Sequence, residues 1–313
     1  MSRKQQPRRD VAAEITALII RKLEEGVAPW NRPWRHTGGS RPLRHCGKPY
    51  MGINNLYLWA VADTFGYRSN FWMTYRQANE LGGQVRKGET GSLSIYFSSF
   101  SKVETDVATG NDVERKLRFM RHYNVFNADQ IDGLPPHYYP PTEPEQPVSP
   151  SEYQAAIDRF FDPVPVEIRH GGNRAYFSPG GDYIQLPHAR AFRSMDHYAS
   201  TKSHEVVHWS GGEQRLARTF GKRFGDKAYS FEELVAEIGS GLICAELGLP
   251  NELHDSHASY IGHWIGILKG DNSAIIHAAS KAEQAFQYLR AFSASQSPEA
   301  VEDDTDIPVD ALS

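Results

Sequence analysis

The chain has 313 residues, 40% hydrophobic and 23% charged, which is ordinary globular composition with room for one or two cores. No run approaches the ~20 apolar residues of a membrane span, and MSRKQQPRRD leads into an amphipathic segment without the apolar core of a secretory leader, so a cytoplasmic address without a membrane partner is the expectation. Two cysteines far apart, Cys46 and Cys244, exclude a disulfide framework and a CxxC metal knuckle.

The net charge of −4 combines two unlike halves: residues 1–130 carry eight positive charges in excess, and the remaining 183 carry twelve negative ones in excess. Between them, residues 131–150 hold seven prolines, a composition that favours extended geometry and reads as a linker. The last stretch, 294–313, has six acidic and no basic side chains and too few large apolar ones to order itself. The expected organisation is therefore a basic domain over 1–130, a proline-rich linker over 131–150, a second domain over 151–293 and an acidic disordered tail.

In chain order, Val11, Ile15, Leu18, Ile19 and Leu23 lie at helical spacing between Asp10, an N-cap candidate, and Gly26. There follows a Gly/Pro-rich segment in which Trp30, Trp34 and Tyr50 alternate with Arg32, Arg35 and Lys48, with Asn54 just beyond. A second cluster supplies Trp72, Tyr75, Arg76, Arg86, Lys87 and a glycine-rich turn that offers backbone N–H groups to a phosphate. Unpaired bases stack on aromatic faces while Lys and Arg neutralise phosphates, so these twelve residues are candidate contacts to single-stranded DNA. A single such ring is more often a core residue than a stacking platform; it is the clustering together with the charge excess that favours nucleic acid. SLSIYFSSFSKV and KLRFMRHYNVFNADQI alternate apolar and polar residues as strands do, giving an α+β reading. No helix-turn-helix or zinc-finger spacing is present, which makes double-stranded DNA the weaker partner.

In the acidic half, NRAYFSPGGDYIQL reads as two short strands around Pro179-Gly180-Gly181, with Asp182 in a turn-capping role and an edge able to pair with an extended peptide. The strongest motif is His204-Glu205-Val206-Val207-His208, an H-E-x-x-H. On a helix its histidines share a face and can clasp one divalent ion, and Glu205 can take a proton from a water beside that ion. Thirteen histidines predict only roughly 0.04 such matches by chance. Gly211-Gly212 reads as the helix stop. A third ligand is needed. The extended H-E-x-x-H-x-x-G-x-x-H pattern fails because Gln214 stands where His is required. The alternative is a glutamate on the helix read over 230–249 with Ser230 as its cap: Glu233 as ligand, Glu237 as the acceptor that orients a ligand histidine, and Glu232 as the main competitor. HDSHASYIGHW adds His254, Asp255, His257, Tyr260 and His263, among which Tyr260 is the preferred hydrogen-bond donor to an oxyanion. The expected cofactor is a divalent metal, Zn²⁺ first and Mn²⁺ second.

These residues carry a resemblance. PWNRPW (29–34), GKPYMGINNLYL (47–58), FWMTYRQA (71–78), GGQVRKGE (82–89), YNVFNADQ (123–130), HEVVHWSG (204–211) and FEELVAEIGS (231–240) occur in the order seen in antirestriction proteins of the ArdC type and in the N-terminal part of TraC-type plasmid primases. The chain resembles that family over nearly residues 8–293. The resemblance implies an N-terminal domain that binds single-stranded DNA and a C-terminal zincin-like metallopeptidase domain, together protecting incoming conjugative plasmid DNA from host restriction. It leaves open whether an unknown host protein or restriction component is cut. Two alternatives stand beside it: a non-catalytic DNA-protecting module with a structural metal, and a DNA-activated protease acting on DNA-associated proteins.

Overall fold

The computed structural model describes residues 10–31, 41–105, 112–140, 149–221, 227–249 and 260–294. Helix α1 (Val11–Glu24) starts where the Asp10 side chain accepts from Ala13 N, and it buries Val11, Ile15, Leu18, Ile19 and Leu23. After the two-residue β1 (Leu43–Arg44), α2 (Ile53–Phe65) runs from Gly52 to Gly66, whose φ of +70° is the left-handed stop that glycine adopts without strain. Then follow β2 (Phe71–Met73), α3 (Tyr75–Glu80), opened by a Thr74/Gln77 capping box, and β3 (Gln84–Val85). The alternating segments form β4 (Ser92–Thr105) and β5 (Asp112–Asn127), a hairpin in register from Ser92↔Val125 to Thr105↔Asp112. β6 (Ile131–Asp132) closes against β3.

The second part begins with α4 (Pro150–Phe161), capped by Ser149 and Glu152, and continues with β7 (Glu167–His170), β8 (Tyr176–Ser178) and β9 (Tyr183–Leu186). Four helices complete it: α5 (Met195–Ser210), α6 (Lys227–Glu246), α7 (Ile261–Gly270) and α8 (Ala274–Ala294). The fold is α+β, and no helix among the described residues is long and apolar enough to cross a membrane.

Two compact units result, and they divide the chain elsewhere than charge and proline content suggest. A helical unit is formed by the described residues up to Leu43, by Lys48–Gly66 and by those from 149 onward. A hairpin unit is formed by Arg44–Gly47 and Tyr67–Pro140. The basic stretch 1–130 is therefore not one body: α1 packs against α2 and α7, and α2 packs against α8. A buried ion pair ties this arrangement, Arg41 Nη2 lying 3.0 Å from Glu283 on α8, whose carboxylate also accepts from Gly52 N and Asn55. Nor are residues 131–140 a linker. Ile131, Leu134 and Tyr138 share a core with Met73, Ala78, Val85 and Ala128, because their apolar side chains outweigh the extending effect of the neighbouring prolines. Residues 141–148 and the tail beyond 294 lie outside the described residues.

In the hairpin unit β5 lies between β2 and β4. In the helical unit β9 lies between a parallel β7 and an antiparallel β8, so β8 is an edge. α5 packs on β8 and β9 on one side and on α6 and α8 on the other. Every residue of α5 from His197 to Ser210 is buried, so this helix carries its polar side chains inside the protein, where each needs a partner.

Candidate metal centre

The spacing of four brings His204 and His208 to one face of α5, with their Nε2 atoms 3.0 Å apart. α6 crosses opposite them and supplies Glu233, whose oxygens lie 3.5 Å from His204 Nε2 and 3.6 Å from His208 Nε2. Among the described residues these three form a cluster able to hold a metal ion, all of them buried. Around a tetrahedral ion with bonds of ~2.1 Å, neighbouring ligand atoms sit roughly 3.4 Å apart. The observed 3.0 to 3.6 Å separations fit that donor set.

Each of the three side chains has its own partner behind it. Glu237, one turn beyond Glu233, places Oε1 3.2 Å from His204 Nδ1. Glu232 places Oε1 3.2 Å from His208 Nδ1 and is gripped by Arg218. It therefore stands behind the second imidazole rather than competing for the ion. Tyr229, one turn before Glu233, accepts from the Tyr260 hydroxyl at 3.3 Å. Burial opposes charge on His204, yet the carboxylates of Glu233 and Glu237, which accept from its ring nitrogens, hold the imidazole well above the usual range, so the cluster favours positive charge at this point. Burial likewise opposes charge on Glu232, and His208 and Arg218 together hold it below the usual carboxylate range. Burial, then the bond with Tyr260, pushes the Tyr229 hydroxyl up, and burial raises Tyr260, so both remain O–H donors at neutral pH.

The cluster opens into a cleft of ≈ 390 Å³. Glu205 lines it beside His204, His208 and Glu233, and Tyr229, Tyr260 and, from the edge strand β8, Tyr176 and Phe177 line it as well. Tyr260 is buried at the start of α7, stacked between Tyr229 and Trp264. His254, Asp255 and His257 lie outside the described residues, and His263 is exposed on α7 away from the cleft lining. Two readings of local structure change. α6 starts at Lys227, so Ser230 is a buried residue of its first turn and not its cap. Asp182 is the ion-pair partner of Arg215 at 2.6 Å, at a left-handed φ of +50°.

The DNA candidates separate by burial. Trp30 is 1% exposed and meets Trp264 edge-on, Tyr50 is 3% exposed, and Trp72 is 1% exposed against Tyr67. These three rings are core and have no face for a base, a correction whose cause is that large aromatic rings gain most by leaving water. Arg32, Trp34 and Arg35 lie outside the described residues. Lys48 is exposed and Asn54 half-buried, both in the helical unit. Tyr75, Arg76, Arg86 and Lys87 are exposed on the hairpin unit, where Arg86 pairs with Glu89 and Asp132. The glycine-rich turn is partly explained by packing, since a Cβ on Gly83 would come within 2.6 Å of Leu134. Unforeseen are Phe97, 60% exposed, and Met120, its cross-strand partner, 39% exposed. Tyr229 and Arg218 were likewise missed: the former leaves only its spacing of four from Glu233 as a clue, and the latter, in an irregular loop, leaves none.

Comparisons with known proteins bear on the same two regions. Residues 9–126 match the N-terminal domain of the anti-restriction factor ArdC, and residues 155–281 match a zincin-like metallopeptidase domain. Uncharacterized protein y4eC of Sinorhizobium fredii (strain NBRC 101917 / NGR234) is 38% identical over 290 residues, 90% of this chain and 92% of that protein. DNA primase TraC of Escherichia coli is 37% identical over 302 residues, 90% of this chain but 27% of the primase. The crystal structure of antirestriction protein ArdC from the R388 plasmid superposes with a TM-score of 0.76 in its metal-free form, at 42% identity over 92% of this chain and 99% of that one. Its Mn(II)-bound form gives 0.75 at 39% identity, over 92% and 100%. With likeness of this extent over both units, the chain belongs to the ArdC family of antirestriction proteins.

Proposed function

We propose that the chain acts in the cytoplasm as an antirestriction protein that binds single-stranded DNA and holds a divalent cation at His204, His208 and Glu233 to hydrolyse a peptide bond, so protecting incoming conjugative plasmid DNA. The observation that carries this reading is the convergence of two imidazoles and a carboxylate, each backed by its own partner, at the floor of an open cleft that Glu205 also lines. The donor set of two nitrogens and one oxygen suits Zn²⁺, and Mn²⁺ is the ion bound in the R388 relative. When bound, such a cation supplies a Lewis acid that acidifies water and polarises a carbonyl.

The chain's own residues do the rest. Glu205 takes the proton of the attacking water and returns it to the leaving amine. Tyr260 and Tyr229 donate to the oxygen that gains charge. The free edge of β8 offers main-chain pairing to an extended peptide, with a host protein or restriction component as the substrate class. On the hairpin unit, Tyr75 and Phe97 offer exposed rings to bases, and Arg76, Arg86 and Lys87 offer exposed cations to phosphates.

The test is Glu205→Gln beside His204→Ala. Glu205→Gln should keep stoichiometric metal and lose both hydrolysis and antirestriction, measured as plasmid transfer into a restricting host. His204→Ala should lose the metal as well. Undiminished antirestriction in metal-loaded Glu205→Gln would remove catalysis and leave the DNA-protecting module with a structural ion.

A further inference from the structure

One buried cation in the helical unit has no place in the chemistry above. Arg218 lies in the loop after α5 with its side chain 3% exposed, and a guanidinium out of water needs acceptors for its donors. It finds them on two helices. Nε donates to Glu232 Oε2 at 3.0 Å and Nη2 to Oε1 at 2.8 Å, on α6. Nη1 donates to Ser210 Oγ at 3.0 Å and Nη2 to the Val207 carbonyl at 2.5 Å, at the C-terminal end of α5. The same Glu232 Oε1 stands 3.2 Å from Nδ1 of His208, whose Nε2 faces His204 and Glu233.

The backbone is shaped for this grip. Ala217 takes a left-handed φ of +46°, turning the chain so that Arg218 N donates to Gly211 O at 2.9 Å. Gly211 itself has an ordinary helical φ of −80°, so its role is not conformational. A Cβ there would sit 2.7 Å from Arg218 Nη2. A side chain at Gly211 would therefore have to displace the guanidinium packed on it.

We propose that Arg218 is a positioning residue of the metal centre: it fixes Glu232 so that this carboxylate accepts the Nδ1–H of His208, which presents Nε2 of His208 to a divalent cation. The proposal rests on the reading of His204, His208 and Glu233 as metal ligands. Two adjacent glutamates on α6 must do different things, Glu233 facing the ion and Glu232 standing behind an imidazole. A planar fork that engages both oxygens of Glu232 enforces the difference, and a lysine's single ammonium cannot reproduce it.

The test is calorimetric titration of the metal-free full chain with Zn²⁺ and with Mn²⁺, alongside circular dichroism and thermal melting without metal. Arg218→Met should weaken metal binding by about 10- to 100-fold, as loss of an outer partner does. Arg218→Lys should recover only part of that loss. In a Glu232→Gln background, itself weakened, Arg218→Met should cost less than about threefold more, because both act through one contact. A purely structural arginine would lower the metal-free melting temperature while the folded protein kept its affinity within about threefold, and that result overturns the proposal. So does an equal loss in both backgrounds, or unchanged affinity in Glu232→Gln. If Arg218→Met alone fails to fold, Glu232→Gln/Arg218→Met, which removes both charges of the buried pair, is compared with Glu232→Gln, and a further tenfold loss on the order set by that outer-partner effect overturns it. Absence of one-to-one binding in the wild-type chain would instead sink the ligand assignment, and the proposal with it.

Discussion

Glu232, Glu233 and Glu237 are each at most 7% exposed and each faces an imidazole, whereas the side chain of Arg76 on the hairpin unit is 66% exposed and pairs with Glu80 one turn away. The difference lies in the surrounding dielectric. In the cleft a missing partner leaves a charge stranded in a poorly solvated place, so the groups stand or fall together. On the hairpin unit an ion pair contributes about 0–1 kcal/mol and is readily exchanged for a phosphate. A region of the first kind suits fixed chemistry, and one of the second suits a long polyanion held by many weak contacts.

The sharpest way to break that contrast is to remove a buried ring of the hairpin unit. Trp72 is buried, paired in register with Asn127, so Trp72→Ala should cost about 3–5 kcal/mol of stability by denaturant melting. The folded fraction should keep its affinity for a labelled oligonucleotide. A mild loss of stability with abolished DNA binding would return Trp72 to the base-stacking set and blur the distinction between core and contact.

Next in size, Tyr75→Ala and Phe97→Ala should each weaken binding of single-stranded DNA by about 1–3 kcal/mol, read by fluorescence anisotropy at fixed low salt. Both rings are exposed, at 49% and 60%, so stability should change by no more than about 0.5 kcal/mol. If neither variant binds more weakly, the exposed rings of the hairpin unit are not the stacking surface.

The clustering of His204, His208 and Glu233 was legible because its information is local. His204 and His208 share a helix face by spacing alone, Glu233 and Glu237 share another, and the motif demands a third ligand, so helical geometry does most of the placement. The strands and the hairpin followed from alternation in the same way. Which rings are core was not legible, since Trp30 and Trp72 lie in stretches as polar as those around Tyr75. Their burial depends on partners far away in the chain, such as Trp264 for Trp30. The same holds for the units. Charge excess records what the surface displays, while the assignment of α1 and α2 to the helical unit depends on contacts with α7 and α8 that no window of sequence contains. Arg218 is the extreme case, an arginine in a loop whose meaning appears only when α5 and α6 are seen together.

The smallest expected effect concerns the two thiols, one in each unit. Cys46 is exposed on the hairpin unit, while Cys244 is buried in α6, where burial pushes its thiol up to about 12 despite hydrogen bonds from Ser203, Ser240 and Ser200. The thiolate is the reactive form, so at pH 8 Cys244 is protonated as well as inaccessible. A chromogenic disulfide reagent should therefore titrate one thiol in the native chain and the second only after denaturation. Cys46→Ser should abolish the native reaction and leave stability within about 0.5 kcal/mol. Two thiols reacting rapidly in the folded, metal-free chain would mean that α6 opens readily without its ion. The carboxylates it carries would then be assembled by the cation, and the contrast between a prebuilt cleft and an adaptable surface would have to be drawn within the helical unit itself.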